Sequence, residues 1–196
     1  MITIGLTGGV ATGKSTVAKV LRQSGVEVIG SDELAHQAIL PEGQAYNQIV
    51  AEFSPRILLP DGKINRRLLG EIVFKDQVAR KRLEGFIHPI VIRKIKEELE
   101  NYEKGGAAKV VVEVPLLFEI GLTDLFDYIW VVSSSCERQL QRILLRDRLT
   151  EVEAKERIAA QWSLKEKEKR ADAVIYNDNG LDSLEKQVSI LLRTLE

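Results

Sequence analysis

A glycine-rich segment near the amino terminus carries the clearest chemical signal in this 196-residue chain. Residues 8–15 match the pattern G-x-x-x-x-G-K-[ST] and read Gly8, Gly9, Val10, Ala11, Thr12, Gly13, Lys14 and Ser15. Glycines let successive backbone N–H groups turn toward phosphate oxygens, and the free amides of a following helix add partial positive charge. Lys14 can then bridge the outer phosphates, and the Ser15 hydroxyl can bind Mg²⁺. The alternative is a chance glycine turn, which the full match between a predicted strand and a predicted helix disfavours. We call residues 8–15 the phosphate loop.

Asp32 is the second candidate, because it comes directly after the second predicted strand. Parallel strands deliver their carboxyl ends to one edge of a sheet, so Asp32 is expected to face the phosphates. There it could accept a hydroxyl proton during phosphoryl transfer, or hold a water on Mg²⁺. The alternative is an acid that caps a helix, since Asp is favoured at helix starts.

Three arginines recur every four residues on one predicted helix: Arg138, Arg142 and Arg146. This spacing places them in one stripe, with Gln139 alongside. Residues 137–170 hold ten Lys or Arg against seven Asp or Glu, a difference of +3, so the local field is positive. The stripe could clamp phosphates, and an equally good interpretation is a solvated helix with ion pairs to acids such as Asp147.

Glu113 lies near the end of the third predicted strand and could support a metal ion. A simple strand-end charge is the favoured interpretation. Trp130 and Trp162 are interpreted as packing residues.

Five short apolar segments predict strands: residues 2–6, 27–29, 109–114, 128–132 and 174–176. Helical periodicity separates them, and the first helix is expected to begin near Lys14. Nearly all-apolar strands that alternate with helices indicate an α/β fold, with a parallel five-stranded sheet and helices on both faces. Residues 31–102 are mostly helical and predict an inserted lobe. Capping spacings predict helix starts at Thr150, with Glu153, and at Asp182, with Glu185.

The composition excludes several classes of protein. Lys and Arg total 28 and Asp and Glu total 29, so a net charge of −1 argues against a polyanion binder held by overall charge. A 44% hydrophobic and 29% charged chain is unlike a disordered one. One cysteine excludes an intrachain disulfide, and with two histidines it is too little for a structural zinc site. No secretory signal or spanning segment is recognisable, so we expect a cytoplasmic protein.

Nearly end to end, the sequence resembles the dephospho-coenzyme A kinases. The residues that carry the resemblance are 5–16, Ser31 and Asp32 with Ala35 and His36, 66–70 with Val73 and Phe74, Leu83 and Glu84, His88 and Pro89, 114–119, Gln139, Arg142, Arg146 and Asp147, 160–161, Asp172 and Asn177. The phosphate loop is shared by thousands of proteins, whereas the string P-L-L-F-E at residues 115–119 after a strand is far more specific.

The resemblance implies a single P-loop kinase domain that uses ATP and Mg²⁺ to phosphorylate the ribose 3′-hydroxyl of dephospho-coenzyme A, giving coenzyme A and ADP in the last step of coenzyme A biosynthesis. It implies a core of residues 1–30, 103–134 and 171–196, an acceptor-binding lobe at 31–102 and a lid region at 135–170. It also implies a monomer that binds this small molecule, with no nucleic acid or membrane partner.

The resemblance also implies roles for individual residues. Asp32 becomes the general base, with Lys14 and Arg142 as further catalytic residues and Ser15 at the metal. The nucleotide would be bound by Gly8, Gly9, Val10, Ala11, Thr12, Gly13, Lys14, Ser15, Thr16, Arg138, Arg142 and Asn177. The acceptor would be bound by Asp32, His88, Pro115, Leu116, Leu117 and Glu119.

Two positions depart from the family pattern, which commonly has Asp where this chain has Gly30 and Asn65. Two other functions remain open on the sequence. A nucleoside or nucleotide monophosphate kinase shares the sheet and the loop, and differs in the acceptor lobe. A GTP-binding switch is a more distant alternative, because the strings N-K-x-D and D-x-x-G that such switches use do not occur here.

Overall fold

The computed structural model describes residues 1–147 and 149–195, which fall into two compact units. Unit 1 comprises Met1–Ile29 and the chain from Asn101 onward, and unit 2 is Gly30–Glu100. The predicted helical lobe and unit 2 span nearly the same residues.

Within the described residues the strands are β1 (Ile2–Gly8), β2 (Glu27–Gly30), β3 (Lys109–Glu113), β4 (Tyr128–Ser133) and β5 (Ala173–Tyr176). The helices are α1 (Lys14–Gln23), α2 (Ser31–Ala38), α3 (Tyr46–Phe53), α4 (Arg66–Lys75), α5 (Gln77–Lys104), α6 (Cys136–Asp147), α7 (Glu151–Ala159), α8 (Leu164–Glu168) and α9 (Leu181–Arg193). None of the helices in the described part of the chain is both long and apolar enough to cross a bilayer.

The five strands form one parallel sheet in the order β2-β3-β1-β4-β5, which confirms the predicted α/β fold. The register of its strands determines which residues lie next to each other at the carboxyl edge of the sheet. Leu6 of β1 pairs with Glu113 of β3, and Gly8 pairs with Val132 of β4. Ser133, the next residue of β4, pairs with Tyr176 of β5. The phosphate loop therefore leaves the sheet between the ends of β3 and β4.

Alternating residues of β1 pack on opposite faces of the sheet. Ile4 and Leu6 are fully buried in a cluster with α1 and α9, and Trp130 of β4 joins this cluster at 2% exposure, as a packing residue should. Gly5 faces the other side, where a Cβ atom would stand 2.6 Å from Leu117 and 2.7 Å from Phe126. Only a glycine lets these two side chains approach the strand so closely.

Unit 2 has a core of its own, formed by the end of α2, by α3 and α4 with their connections, and by residues of α5. Its buried members are Ala38, Ala45, Ile49, Ile57, Ile64 and Leu69, with Leu68, Ile72 and Val73 packed against them. Asn65 is the N-cap of α4 and accepts a hydrogen bond from the Leu68 N–H at 3.1 Å. The departure from Asp at this position therefore keeps the cap, because Asn and Asp cap helices about equally well.

The two predicted helix caps had different outcomes. Thr150 and Glu153 form a complete capping box at the start of α7, which confirms that prediction. The prediction that Asp182 caps the last helix is wrong. The N-cap of α9 is Gly180, and Asp182 is the second helical residue. There its negative charge interacts favourably with the positive amino-terminal end of the helix.

Gly5→Ala should destabilise the protein by about 1–3 kcal/mol, because the new methyl group overpacks the contact with Leu117 and Phe126. Gly70→Ala is the matched control: Gly70 lies inside α4, and a Cβ there has no neighbour within 4 Å. That substitution should raise stability by about 0.5–1 kcal/mol. Urea unfolding followed by circular dichroism measures both, and equal effects would contradict the packing interpretation.

Candidate active site

The phosphate loop connects β1 to α1 and wraps around the side chain of Lys14. The Lys14 ammonium is buried and donates to the Gly9 carbonyl at 2.8 Å and to the Gly8 carbonyl at 3.4 Å. Gly13 has a φ of +95°, and a Cβ atom there would stand 2.0 Å from the Asn177 amide nitrogen. The loop thus needs glycine at this position both for its backbone conformation and for the approach of Asn177.

Side chains from the distant carboxyl-terminal half of the chain hold the loop backbone. Gln139 of α6 donates to the Val10 carbonyl at 2.7 Å, and the Val10 N–H donates to the Gln161 side chain at 2.9 Å. Asn177, which follows β5, donates to the Thr12 carbonyl at 2.8 Å. Gln139 and Asn177 are both buried, so these hydrogen bonds are shielded from water and fix the path of the loop.

The structure splits the predicted arginine stripe. The half-buried Arg142 guanidinium donates to the carbonyls of Ala11 and Thr12, both at 3.2 Å, and to the Asn177 carbonyl at 2.9 Å. Arg138 is exposed on α6. Arg142 thus contacts the backbone of the phosphate loop, and its contact with phosphates stays a prediction.

Arg146 follows the other interpretation, that of a helix with ion pairs. It lies 2.7 Å from Asp147, which also pairs with Arg157 of α7 at 2.9 Å. The hydrogen bond from Arg146 lowers the pKa of Asp147 and raises the pKa of Arg146. These contacts join α6 to α7 and do not involve the loop.

A hydroxyl and a carboxylate meet at the other side of the loop. The Ser15 hydroxyl donates to Glu113 at the end of β3, at 3.3 Å. Ser15 is exposed, so its oxygen remains accessible to a ligand. Hard oxygen donors of this kind suit Mg²⁺, which commonly takes one or two protein ligands and completes its shell with phosphates and water. Among the described residues, no group of three or more His, Cys, Asp or Glu could hold a metal ion. A Mg²⁺ ion that is bound through phosphates and water does not need such a group.

The segment of residues 115–119 is joined to other parts of unit 1 at both of its ends. The Pro115 carbonyl accepts from the Thr7 hydroxyl at 3.2 Å, and Glu119 pairs with Lys167 at 2.8 Å. Pro115 and Leu116 are half-buried, whereas Leu117 is fully buried against Gly5. The Leu117 side chain belongs to the core of unit 1 and supports the segment, and its part in acceptor binding stays a prediction.

Lys167 is the functional candidate that the sequence analysis missed. It lies in a highly charged run that predicts a solvated helix, yet its side chain has 0% exposure. Gln161 is one of the residues that carry the resemblance, and its contact with Val10 is not indicated by any local pattern. Trp162 is a packing residue as expected: its ring stacks on Phe118 at 6.1 Å, while Arg170 lies 4.7 Å from its centroid.

Two candidate residues lie in unit 2. Asp32 is the second residue of α2 and is exposed. The N-cap of α2 is Gly30, without a side-chain cap, so Asp32 is not the capping residue that the alternative interpretation required. His88 is half-buried inside α5, which continues through Pro89.

For the ATP that the sequence resemblance implies, Arg142→Ala should lower kcat/KM by at least about tenfold, because three hydrogen bonds that brace the phosphate loop are lost. Arg146→Ala is a matched control one helical turn away, and it should leave kcat/KM unchanged. Each variant should lower Tm by only about 2–4 °C, as expected for a loss near 1 kcal/mol in a chain of this size. Steady-state kinetics and thermal melts test this; equal kcat/KM values for the two variants would contradict it.

Comparisons with known proteins agree with this geometry. The model of the dephospho-CoA kinase family matches residues 2–183. A dephospho-CoA kinase of Geobacillus kaustophilus is 46% identical over 192 residues, which cover 98% of this chain and 96% of the relative. A dephospho-CoA kinase of Geobacter sulfurreducens is 43% identical over 185 residues, which cover 94% of this chain and 94% of the relative.

Solved structures give the same result. The structure of TT1252 from Thermus thermophilus is similar with a TM-score of 0.83 and 35% identity, covering 100% of this chain and 98% of that one. Dephospho-CoA kinase from Campylobacter jejuni has a TM-score of 0.74 and 32% identity, with coverage of 98% and 96%. Shikimate kinase from Acinetobacter baumannii, at 15% identity and a TM-score of 0.54, shares the fold alone. The chain belongs to the dephospho-CoA kinase family.

Proposed function

We propose that this protein transfers the γ-phosphoryl group of ATP to the ribose 3′-hydroxyl of dephospho-CoA, giving CoA and ADP in CoA biosynthesis. The observation that carries the proposal is the braced phosphate loop, which encloses Lys14 and places Ser15 beside Glu113. The family match over residues 2–183 supports it. Phosphoryl transfer depends on positioning and on charge stabilisation, which these groups supply.

Nucleotide binding is assigned to residues 8–16 with Arg138, Arg142 and Asn177. Backbone N–H groups and the α1 amino terminus would hold the phosphates, and Lys14 would exchange its carbonyl partners for phosphate oxygens. Ser15 would hold Mg²⁺ with help from Glu113, and the metal would offset the phosphate charge. We further propose that residues 135–170 act as a lid region that excludes water, in which the exposed Arg138 turns toward the phosphates while Arg142 and Lys167 keep their contacts with the loop backbone.

Asp32 is proposed as the general base that accepts the proton of the acceptor hydroxyl. Its carboxylate is exposed, and α2 has no side-chain cap, so Asp32 is not committed to capping.

Acceptor binding is assigned to Asp32, His88, Pro115, Leu116 and Glu119, with Leu117 acting by support of the segment. A nucleoside monophosphate kinase and a GTP-binding switch are not favoured by the family match. A monomeric, cytoplasmic enzyme without nucleic acid or membrane partners completes the proposal.

Acceptor choice tests the assignment directly. Dephospho-CoA should be phosphorylated with far higher kcat/KM than AMP, UMP or shikimate, because acceptor discrimination is set by binding in the transition state. A coupled ADP-release assay across this panel, at saturating MgATP, gives the ranking. Equal or better transfer to a nucleoside monophosphate would contradict the proposal.

Asp32→Asn should lower kcat by about 10²–10⁴-fold, the contribution of a positioned general base, because an amide cannot accept the proton. MgATP affinity should not change. Glu33→Gln is the matched control, since Glu33 is the next exposed acid of the same turn, and its kcat should stay near that of the wild type. A near-normal kcat for Asp32→Asn at saturating substrates would assign the base to another group, such as Glu113.

A further inference from the structure

Lys167 is a buried cation that the proposed function does not use. Its side chain has 0% exposure, and its ammonium lies 2.8 Å from Glu119, 3.3 Å from the Pro115 carbonyl and 3.4 Å from the Gly8 carbonyl. An ammonium has three N–H donors, and here each has an acceptor. A lysine is almost never buried so completely unless it is paired, so the chain maintains this arrangement at a cost in desolvation.

The Gly8 carbonyl is shared by two lysines. Lys14 donates to it at 3.4 Å, the same distance as Lys167, and donates also to Gly9 at 2.8 Å. A carbonyl oxygen has two lone pairs and can accept from both. When Lys14 turns to a phosphate, it must release this carbonyl, and a buried carbonyl without a donor is unfavourable. Lys167 can keep the Gly8 carbonyl paired after Lys14 has left.

We propose that Lys167 is a positioning residue that allows Lys14 to move from the loop carbonyls to the nucleotide phosphates. The inference rests on the proposed function, since it requires a phosphate at the loop. Without Lys167, the Gly8 carbonyl depends more strongly on Lys14, and phosphate binding has to break that hydrogen bond without replacement.

Glu119 keeps Lys167 in place for this role. Its Oε1 atom accepts from Lys167 and also from the Trp162 N–H at 3.0 Å, which fixes the carboxylate at the start of α8. Both lysine ammoniums lie within 3.4 Å of one oxygen atom, so they repel each other. The Glu119 carboxylate offsets the charge of Lys167, which lessens the repulsion between the two ammonium groups.

The test is a calorimetric titration of the full chain with MgATP, without any acceptor. Lys167→Met keeps the length of the side chain but removes its donors, and it should raise the Kd for MgATP by about tenfold, the order expected for one charge-assisted hydrogen bond. Lys165→Met, an exposed lysine of the same helix, should leave the Kd unchanged.

A double-mutant cycle separates positioning from a general structural role. In a Lys14→Ala background, Lys167→Met should change the Kd by less than about twofold, because the residue through which Lys167 acts is gone. The same tenfold factor in both backgrounds would mean that Lys167 only supports the structure, and this would overturn the proposal.

Lys167→Met removes the ion-pair partner of the half-buried Glu119 and is expected to lower folding yield, so a second variant is needed. Lys167→Met/Glu119→Leu removes both charges, and a buried ion pair can often be replaced by apolar residues without loss of stability. It should melt near the wild-type Tm and still show the raised Kd; wild-type affinity would overturn the proposal. If the wild type does not bind MgATP, the proposed function itself is overturned. If the wild type binds MgATP and Lys167→Met binds it with the same Kd, this inference alone is overturned.

Discussion

The architecture of the site depends on one constraint: the carbonyl oxygens of Val10, Ala11 and Thr12 in the phosphate loop need donors from outside the loop. In a helix or strand, backbone N–H groups satisfy the carbonyls, but a loop that presents its N–H groups to a ligand has few to spare. The loop carbonyls are therefore met by side chains. Gln139 donates to Val10, Arg142 to Ala11 and Thr12, and Asn177 to Thr12. The shape of the amino-terminal loop is thus set by residues more than 120 positions later in the chain.

The parallel sheet makes these long-range contacts possible. Because β4 is the neighbour of β1 and β5 is the neighbour of β4, their carboxyl ends emerge next to the loop. The Asn177 N–H donates to the Ser133 carbonyl at 2.8 Å, which continues the β4–β5 pairing by one residue and sets the Asn177 side chain at the loop. Arg142 then binds the Asn177 carbonyl, so loop, strand end and α6 support one another.

The sequence was sufficient for the parts of the molecule that follow local rules. Apolar runs and glycine turns located all five strands to within about two residues, and the spacing of Thr150 and Glu153 predicted a real cap. It was not sufficient where tertiary contacts override those rules. Asp182 has the residue type and spacing of a cap, but Gly180 already begins the helix. Lys167 has the type of a surface residue and is buried because Glu119 and two carbonyls lie within reach, which no local pattern records. The arginine stripe was ambiguous for the same reason, since Arg142 and Arg146 differ only in what the fold brings near them.

The distribution of charge around the loop explains how a chain of net charge −1 can serve a polyanionic ligand. Three cations, Lys14, Arg142 and Lys167, are gathered there with two carboxylates, Glu113 and Glu119. Hydrogen bonds from a cation to a phosphate are stronger than those to a carbonyl, so a ligand can draw Lys14 away from Gly8 and Gly9. Arg142 is fixed by three carbonyls and Lys167 by a carboxylate, so their displacement is less favourable. The fold thereby separates the cation that meets the ligand from the cations that keep the loop in shape.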